Sequence, residues 1–237
     1  MSRVAIIALV QASPSFRDLT LATFADQLSS SDPVPGGGSA SAVAAALGAS
    51  LVAMVATLTL GRPKYAEHAA LAEAVAPKAK ALAGELLELA DADAQAYAAC
   101  AFALKLPRES FEDTTARDAQ IQATAIVAAE VPLRTVERCL EGLRLAEMLS
   151  GRSNRNASSD LRVASLLLEA AADGAAANVL VNLPLIGTTD WTTATEARVA
   201  DLMRDVAAAA KRTRATVEAG DARPPLRASD RAPRVGA

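Results

Sequence analysis

Pro35-Gly36-Gly37-Gly38-Ser39 opens an uncharged run that ends at Gly61-Arg62. Glycine loses more backbone freedom on folding than any other residue, so a triplet belongs where backbone must come close to something or take φ values that other residues avoid. At a helix start, exposed amides and the helix dipole favour an anionic or electron-rich partner. Close contact between two helices is the competing use, and no Gly-Lys-Ser/Thr ending follows to make a phosphate loop. Lys64 and Tyr65 come directly after the uncharged run. A partly desolvated lysine exchanges protons near neutral pH, whereas an ordinary exposed helix start gives it no such role. His68 lies four residues further on, and a lone histidine is read as a packing or surface residue.

A second group follows the polar stretch Gly151–Asn156. Asn156, Ser159 and Asp160 cluster at a helix start, where capping alone accounts for the last two. Asn178 and Asn182 share one face of an apolar helix, and buried amides must find partners, either across helices or on the polar edge of a heterocycle. Asp160 and Asn178 are 18 residues apart. An unbroken helix holds them about 27 Å from each other, too far for one small reaction centre. They then serve opposite ends of a long ligand or sites completed by different chains, unless Gly174 breaks the helix.

The elements that position these residues are helices. Leu19–Leu28 carries one apolar face, the uncharged helix follows Pro33 and Pro35, and Gly61-Arg62-Pro63 closes it. Helices are predicted over Lys64–Lys105 with a kink at Pro77, Ser110–Ser150 disturbed at Pro132, Ser158 to about Asn182, and Thr192–Ala219. Arg134, Glu137, Arg138, Glu141, Arg144 and Glu147 form a charged stripe expected to face solvent. No β-period segment stands out, so the fold class is all-α: a single-domain bundle of long Ala-rich helices over residues 19–219. Residues 1–18 read as an extension and 220–237 as a disordered Arg/Pro tail.

With 51% hydrophobic but only 3% aromatic residues, core volume must come from closely approaching helices, a packing that readily continues across a subunit boundary. A net charge of −3 and few aromatics argue against a nucleic-acid surface. Cys100 and Cys139 match no metal or disulfide pattern and His68 is the sole histidine, so no metal site is expected and the protein reads as reduced and cytoplasmic. Ser39–Leu60 is long enough, at about 33 Å, to cross a bilayer. Lacking an aromatic belt and a second comparable span, it reads instead as the central helix of a soluble bundle. Arg3 ahead of the short apolar run Val4–Val10 is too meagre for an export signal.

In chain order, these features resemble the cyclodeaminase/cyclohydrolase family of one-carbon folate enzymes, over about Leu19–Ala219. The carriers are Pro35–Ser39, Leu58-Thr59-Leu60-Gly61 with Lys64-Tyr65, Asp93, Leu106-Pro107, Val131-Pro132-Leu133, Asn156 with Ser159-Asp160, and Asn178 with Asn182. Thr57 stands where the family often has Asn, and Arg62 and Pro63 stand where it has lysines. The resemblance implies an all-helical homodimer with folate sites near the interface, a tetrahydrofolate derivative as substrate, and no metal or redox cofactor. It implies hydrolysis of 5,10-methenyltetrahydrofolate to 10-formyltetrahydrofolate, or closure of 5-formiminotetrahydrofolate with loss of ammonia. Without a formiminotransferase domain in the chain, the reading leans to the cyclohydrolase. Lys64 is then the expected proton-transfer residue, Tyr65 positions it, and Asp160 anchors the pterin or orients the lysine. Gly36, Gly37, Gly38, Ser39, Asp93, Asn156, Ser159, Asn178 and Asn182 are expected to bind substrate, while Arg62, Arg152 and Arg155 meet its glutamate carboxylates. The alternatives are a non-catalytic helical dimerisation module and, behind it, a membrane helix protein.

Overall fold

The computed structural model describes residues 15–226, all helix, turn or irregular chain. The apolar run Val4–Val10 and the tail beyond Leu226 lie outside them. Six helices follow in order: α1 (Leu21–Leu28), α2 (Gly37–Thr59), α3 (Ala69–Ala103), α4 (Phe111–Leu149), α5 (Ser158–Ile186) and α6 (Asp190–Ala219). Short 3-10 turns occupy Phe16–Asp18, Pro63–His68 and Arg155–Ala157. Helices α2 to α5 form a closed ring of neighbours, and α6 lies along α4 and α5.

Local chemistry sets the boundaries. Ser110 with Asp113 and Thr189 with Thr192 make capping boxes at the starts of α4 and α6, and Gly220 ends α6 in the left-handed conformation. The α3 and α4 helices continue through Pro77 and Pro132, and α5 continues through Gly174 and Pro184, past its expected end at Asn182. Lys64 and Tyr65 are not the start of α3. Pro63 opens a 3-10 turn in which Tyr65 leaves helical geometry, and α3 begins only after His68. Nor do Ser158, Ser159 or Asp160 cap α5; its N-cap is Ala157, without a side-chain bond, and Asp160 lies in the first turn, where the dipole favours it.

The core interleaves small and large side chains. Ala42, Ala45, Ala49 and Val52 of α2 are fully buried, as are Leu86, Leu143 and Leu168 on the surrounding helices. The charged stripe of α4 is not simply solvated, because α6 docks along it. Glu137 pairs with Arg198 at 3.2 Å, Arg144 with Asp205 at 3.2 Å, and Glu147 with Arg212 at 2.6 Å. Such exposed pairs contribute at most about 1 kcal/mol each, so they set register more than stability.

Two stretches are long and apolar enough to cross a membrane, Gly37–Thr59 and Arg155–Ile186, so the first has a second comparable span after all. Only about half of each window is buried, at 50% and 44%. Helix α2, apolar all round, therefore uses one face in the core and leaves Leu47, Met54 and Leu58 on the surface, while α5 leaves Leu166, Leu180 and Val181.

Candidate functional site

The residues singled out by sequence fall at the two ends of α2. At its N-terminus, Ser39 Oγ donates to Asp93 Oδ2 at 3.0 Å and lies 3.1 Å from the Ala90 carbonyl of α3. A Cβ on Gly38 would stand 2.1 Å from Asp93 Oδ1, so the missing side chain is what lets this carboxyl sit over the first turn of α2. Burial pushes the Asp93 carboxyl above the usual range, and hydrogen bonds from the Ser39 side chain and main chain pull it part of the way back. A carboxyl with this balance is suited to exchanging protons. Gly38→Ala is expected to displace Asp93 and lower turnover at least about tenfold, with the helical circular dichroism unchanged.

Asn178 and Asn182 come to the same end. Asn178 Nδ2 would be 3.6 Å from a Cβ on Gly37. Its amide donates to the Gly174 carbonyl at 2.8 Å, while Asn182 Nδ2 donates to Ala128 and Asn178 carbonyls at 2.9 and 2.8 Å. With the NH2 groups so occupied, the side-chain oxygens are left as acceptors for donors on a ligand.

The second cluster lies at the C-terminal end of α2, about 33 Å along the axis from the first. Lys64 Nζ sits over the Tyr65 ring, 5.7 Å from its centroid. The Tyr65 hydroxyl accepts from the Arg155 main-chain N–H at 3.0 Å. These side chains line a cavity of about 380 Å³ with Gly151, Ser158, Thr216 and Gly220. Lys64 is exposed at its mouth, so within one chain it lacks the desolvation the sequence argument required. Asn156 and Ser159 are exposed, and Asp160 is half-buried in the first turn of α5. Arg152 does not face a ligand either; it is buried, donating to the Pro224 carbonyl at 2.6 Å and the Met148 carbonyl at 3.2 Å. Thr57 turns back on its own helix, donating to the Ala53 carbonyl.

Sequence reasoning missed Asn154, which organises this end. Only 4% exposed, it accepts from the Asn156 N–H at 3.1 Å. Its own N–H donates to Thr59 Oγ1 at 3.0 Å, and its Nδ2 donates to the Leu58 carbonyl at 3.3 Å. Lying in a polar stretch, it carried no signal of burial. Asn154→Ala leaves the Asn156 amide and the Leu58 carbonyl without their partner and is expected to cost about 1–3 kcal/mol, read as a lowered Tm. His68, beside this cluster, is a buried packing residue whose pKa is pushed down mainly by burial.

No group of three or more His, Cys, Asp or Glu able to hold a metal occurs among the described residues. The family model for formiminotransferase-cyclodeaminase matches residues 20–201, most of the helical bundle. The chain belongs to this family. Within it, the chain is 41% identical over 163 residues to a methenyltetrahydrofolate cyclohydrolase of Methylorubrum extorquens, covering 69% of this chain and 78% of that protein. It is 34% identical over 191 residues to the formimidoyltransferase-cyclodeaminase of Rattus norvegicus, covering 81% of this chain but 35% of the longer relative. The chain thus spans about a third of the bifunctional family members that it matches. The fold matches a crystal structure of a formiminotetrahydrofolate cyclodeaminase from Thermotoga maritima, with a TM-score of 0.78 at 24% identity, covering 86% of this chain and 98% of that one.

Proposed function

We propose that this family member is a one-carbon tetrahydrofolate enzyme, a methenyltetrahydrofolate cyclohydrolase, working as a homodimer in the reducing cytoplasm. The observation that carries it is the half-buried Asp93 carboxyl held against the Gly38-Ser39 helix start, beside the acceptor amides of Asn178 and Asn182. Support for water rather than ammonia as the exchanged group comes from the cyclohydrolase relative, most of whose length the chain covers. Both cysteines are buried, and burial pushes the Cys139 thiol up to about 12, which suits structural thiols in a reducing setting.

Support for the dimer comes from the half-exposed apolar residues of α2 and α5. Those two helices run antiparallel: Asn178 meets the Gly37 end of α2, while Asn154 meets its Thr59 end. A twofold axis across the middle of α2 sets the glycine-rich end of one protomer against the Lys64 end of the other. In that arrangement Asp93, Asn178 and Asn182 face Lys64, Tyr65 and Arg155 of the partner subunit, two sites per dimer, which would account for the separation along α2. The interface also covers Lys64, supplying the desolvation missing in one chain.

In this site the pterin edge donates to the Asn178 and Asn182 oxygens, and the positive methenyl carbon lies beside Asp93. Water adds to that carbon while Asp93 takes its proton, giving a neutral tetrahedral carbinol. The C–N5 bond then breaks as Lys64 of the partner subunit protonates N5; the carbinol oxygen becomes the formyl carbonyl, and its proton returns to the lysine. Asp93 releases its proton to solvent, so one proton leaves per turnover. These steps use side-chain proton transfer alone, typically worth about 10² to 10⁴ in rate. Arg155 at the cavity pairs with the substrate's glutamate carboxylate.

The test is loss of 5,10-methenyltetrahydrofolate absorbance with purified protein, beside ammonia release from 5-formiminotetrahydrofolate. Rapid hydrolysis without ammonia release is expected. Ammonia release alone moves the assignment to cyclodeaminase, and no turnover of either substrate favours a non-catalytic dimerisation module.

A further inference from the structure

The family match ends at residue 201, yet the cavity beside Lys64 is walled by chain beyond it: Thr216 to Ala219 at the end of α6, then Gly220, Asp221 and Ala222. The tail expected to be disordered from Gly220 onward is held across the end of α4 as far as Leu226. The Arg223 N–H donates to the Gly151 carbonyl at 2.8 Å. Its guanidinium reaches the Glu147 carbonyl at 3.3 Å and Ser150 Oγ at 3.4 Å. The buried Arg152 grips the Pro224 carbonyl from the other side, and Leu226 packs against the core. Gly151, at φ +72°, is the position that permits this contact, because a Cβ there would stand 2.8 Å from both Arg223 Cγ and the Asp221 carbonyl. Gly220, where the strap leaves α6, is the neighbour of Arg155, whose Nη2 would lie 3.2 Å from a Cβ on that glycine.

We infer that Gly220–Leu226 is a strap that forms the outer wall of the ligand cavity, with Arg223 as its positioning residue, setting how tightly the carboxylate-bearing end of the substrate is held. The strap touches no reacting atom in this arrangement, so it acts on binding and not on the chemical step. It rests on the folate reading for the ligand's identity, but its anchoring does not.

The experiment uses the full chain carrying Arg223→Ala, beside Arg223→Lys, which keeps a donor for the same carbonyl. Amide exchange across residues 220–226 reads the anchor, and titration with the stable reduced folate 5-formyltetrahydrofolate reads the wall. For Arg223→Ala, at least about tenfold faster exchange in the strap, a Kd and KM raised about fivefold or more, and kcat within twofold of the parent are expected, with Arg223→Lys near the parent. Unchanged exchange, or faster exchange with unchanged Kd and KM, overturns the inference while leaving the folate reading in place. Failure of the parent protein to bind the folate overturns both.

Discussion

Asp93→Asn is expected to lower 5,10-methenyltetrahydrofolate hydrolysis by about 10² to 10⁴ and, at the same time, to raise the Tm at neutral pH. The two effects have one origin. Burial holds the Asp93 carboxyl above its ordinary value, so the folded protein keeps this proton at pH values where the unfolded chain has released it. Stability from this group is therefore complete below the ordinary aspartate range and is lost as pH rises through the raised value, leaving a penalty at neutral pH. Asparagine carries no charge to desolvate and still accepts from Ser39 Oγ. The gain in Tm should be larger at neutral pH than in acid, where parent and variant converge. Thermal melts across pH beside turnover measurements check both halves; a Tm that falls equally at every pH would mean that Asp93 serves packing alone.

On the proposed twofold arrangement, Leu47→Asp combined with Leu166→Asp is expected to give a monomer and to lower activity at least about 100-fold. In one chain these side chains are 48% and 47% exposed, and surface substitutions of this kind usually alter stability by no more than about 0.5 kcal/mol. Near a twofold axis the same aspartates meet their own copies, so an apolar contact becomes a cluster of like charge without water to screen it. Light scattering, circular dichroism and turnover together separate a folded inactive monomer, which is expected, from an unfolded chain. An active monomer would remove the shared site.

The sequence carried the helices well, because caps, prolines and apolar periodicity are local. The five long segments and the amphipathic Leu19–Leu28 all appear, with shifts where local rules compete: Pro63 diverts Lys64 and Tyr65 into a 3-10 turn, and α5 absorbs Pro184. The site was legible in part. Eighteen residues of unbroken helix fix the separation of Asp160 from Asn178 whatever surrounds them, and that separation stands because α5 runs through Gly174. The choice of proton-transfer group was not legible in the same way. Asp93 owes its place over the start of α2 to Ser39 and Gly38, more than fifty residues earlier, whereas Lys64 followed an apolar helix directly and yet lies exposed in one chain. Asn154 and the strap depend on tertiary contacts with Leu58, Thr59 and Gly151 that no spacing announces.

The shared site is tested most directly by mixing two inactive variants. Asp93→Asn and Lys64→Ala lie at opposite ends of α2, so a mixed dimer has one site lacking both groups and one site lacking neither. Random reassortment of equal amounts makes half the dimers mixed and restores about a quarter of parental activity. Co-expression or joint refolding followed by the hydrolysis assay measures this. Recovery near that fraction is the result predicted; activity that stays at the level of the separate variants would contradict a site built from both chains.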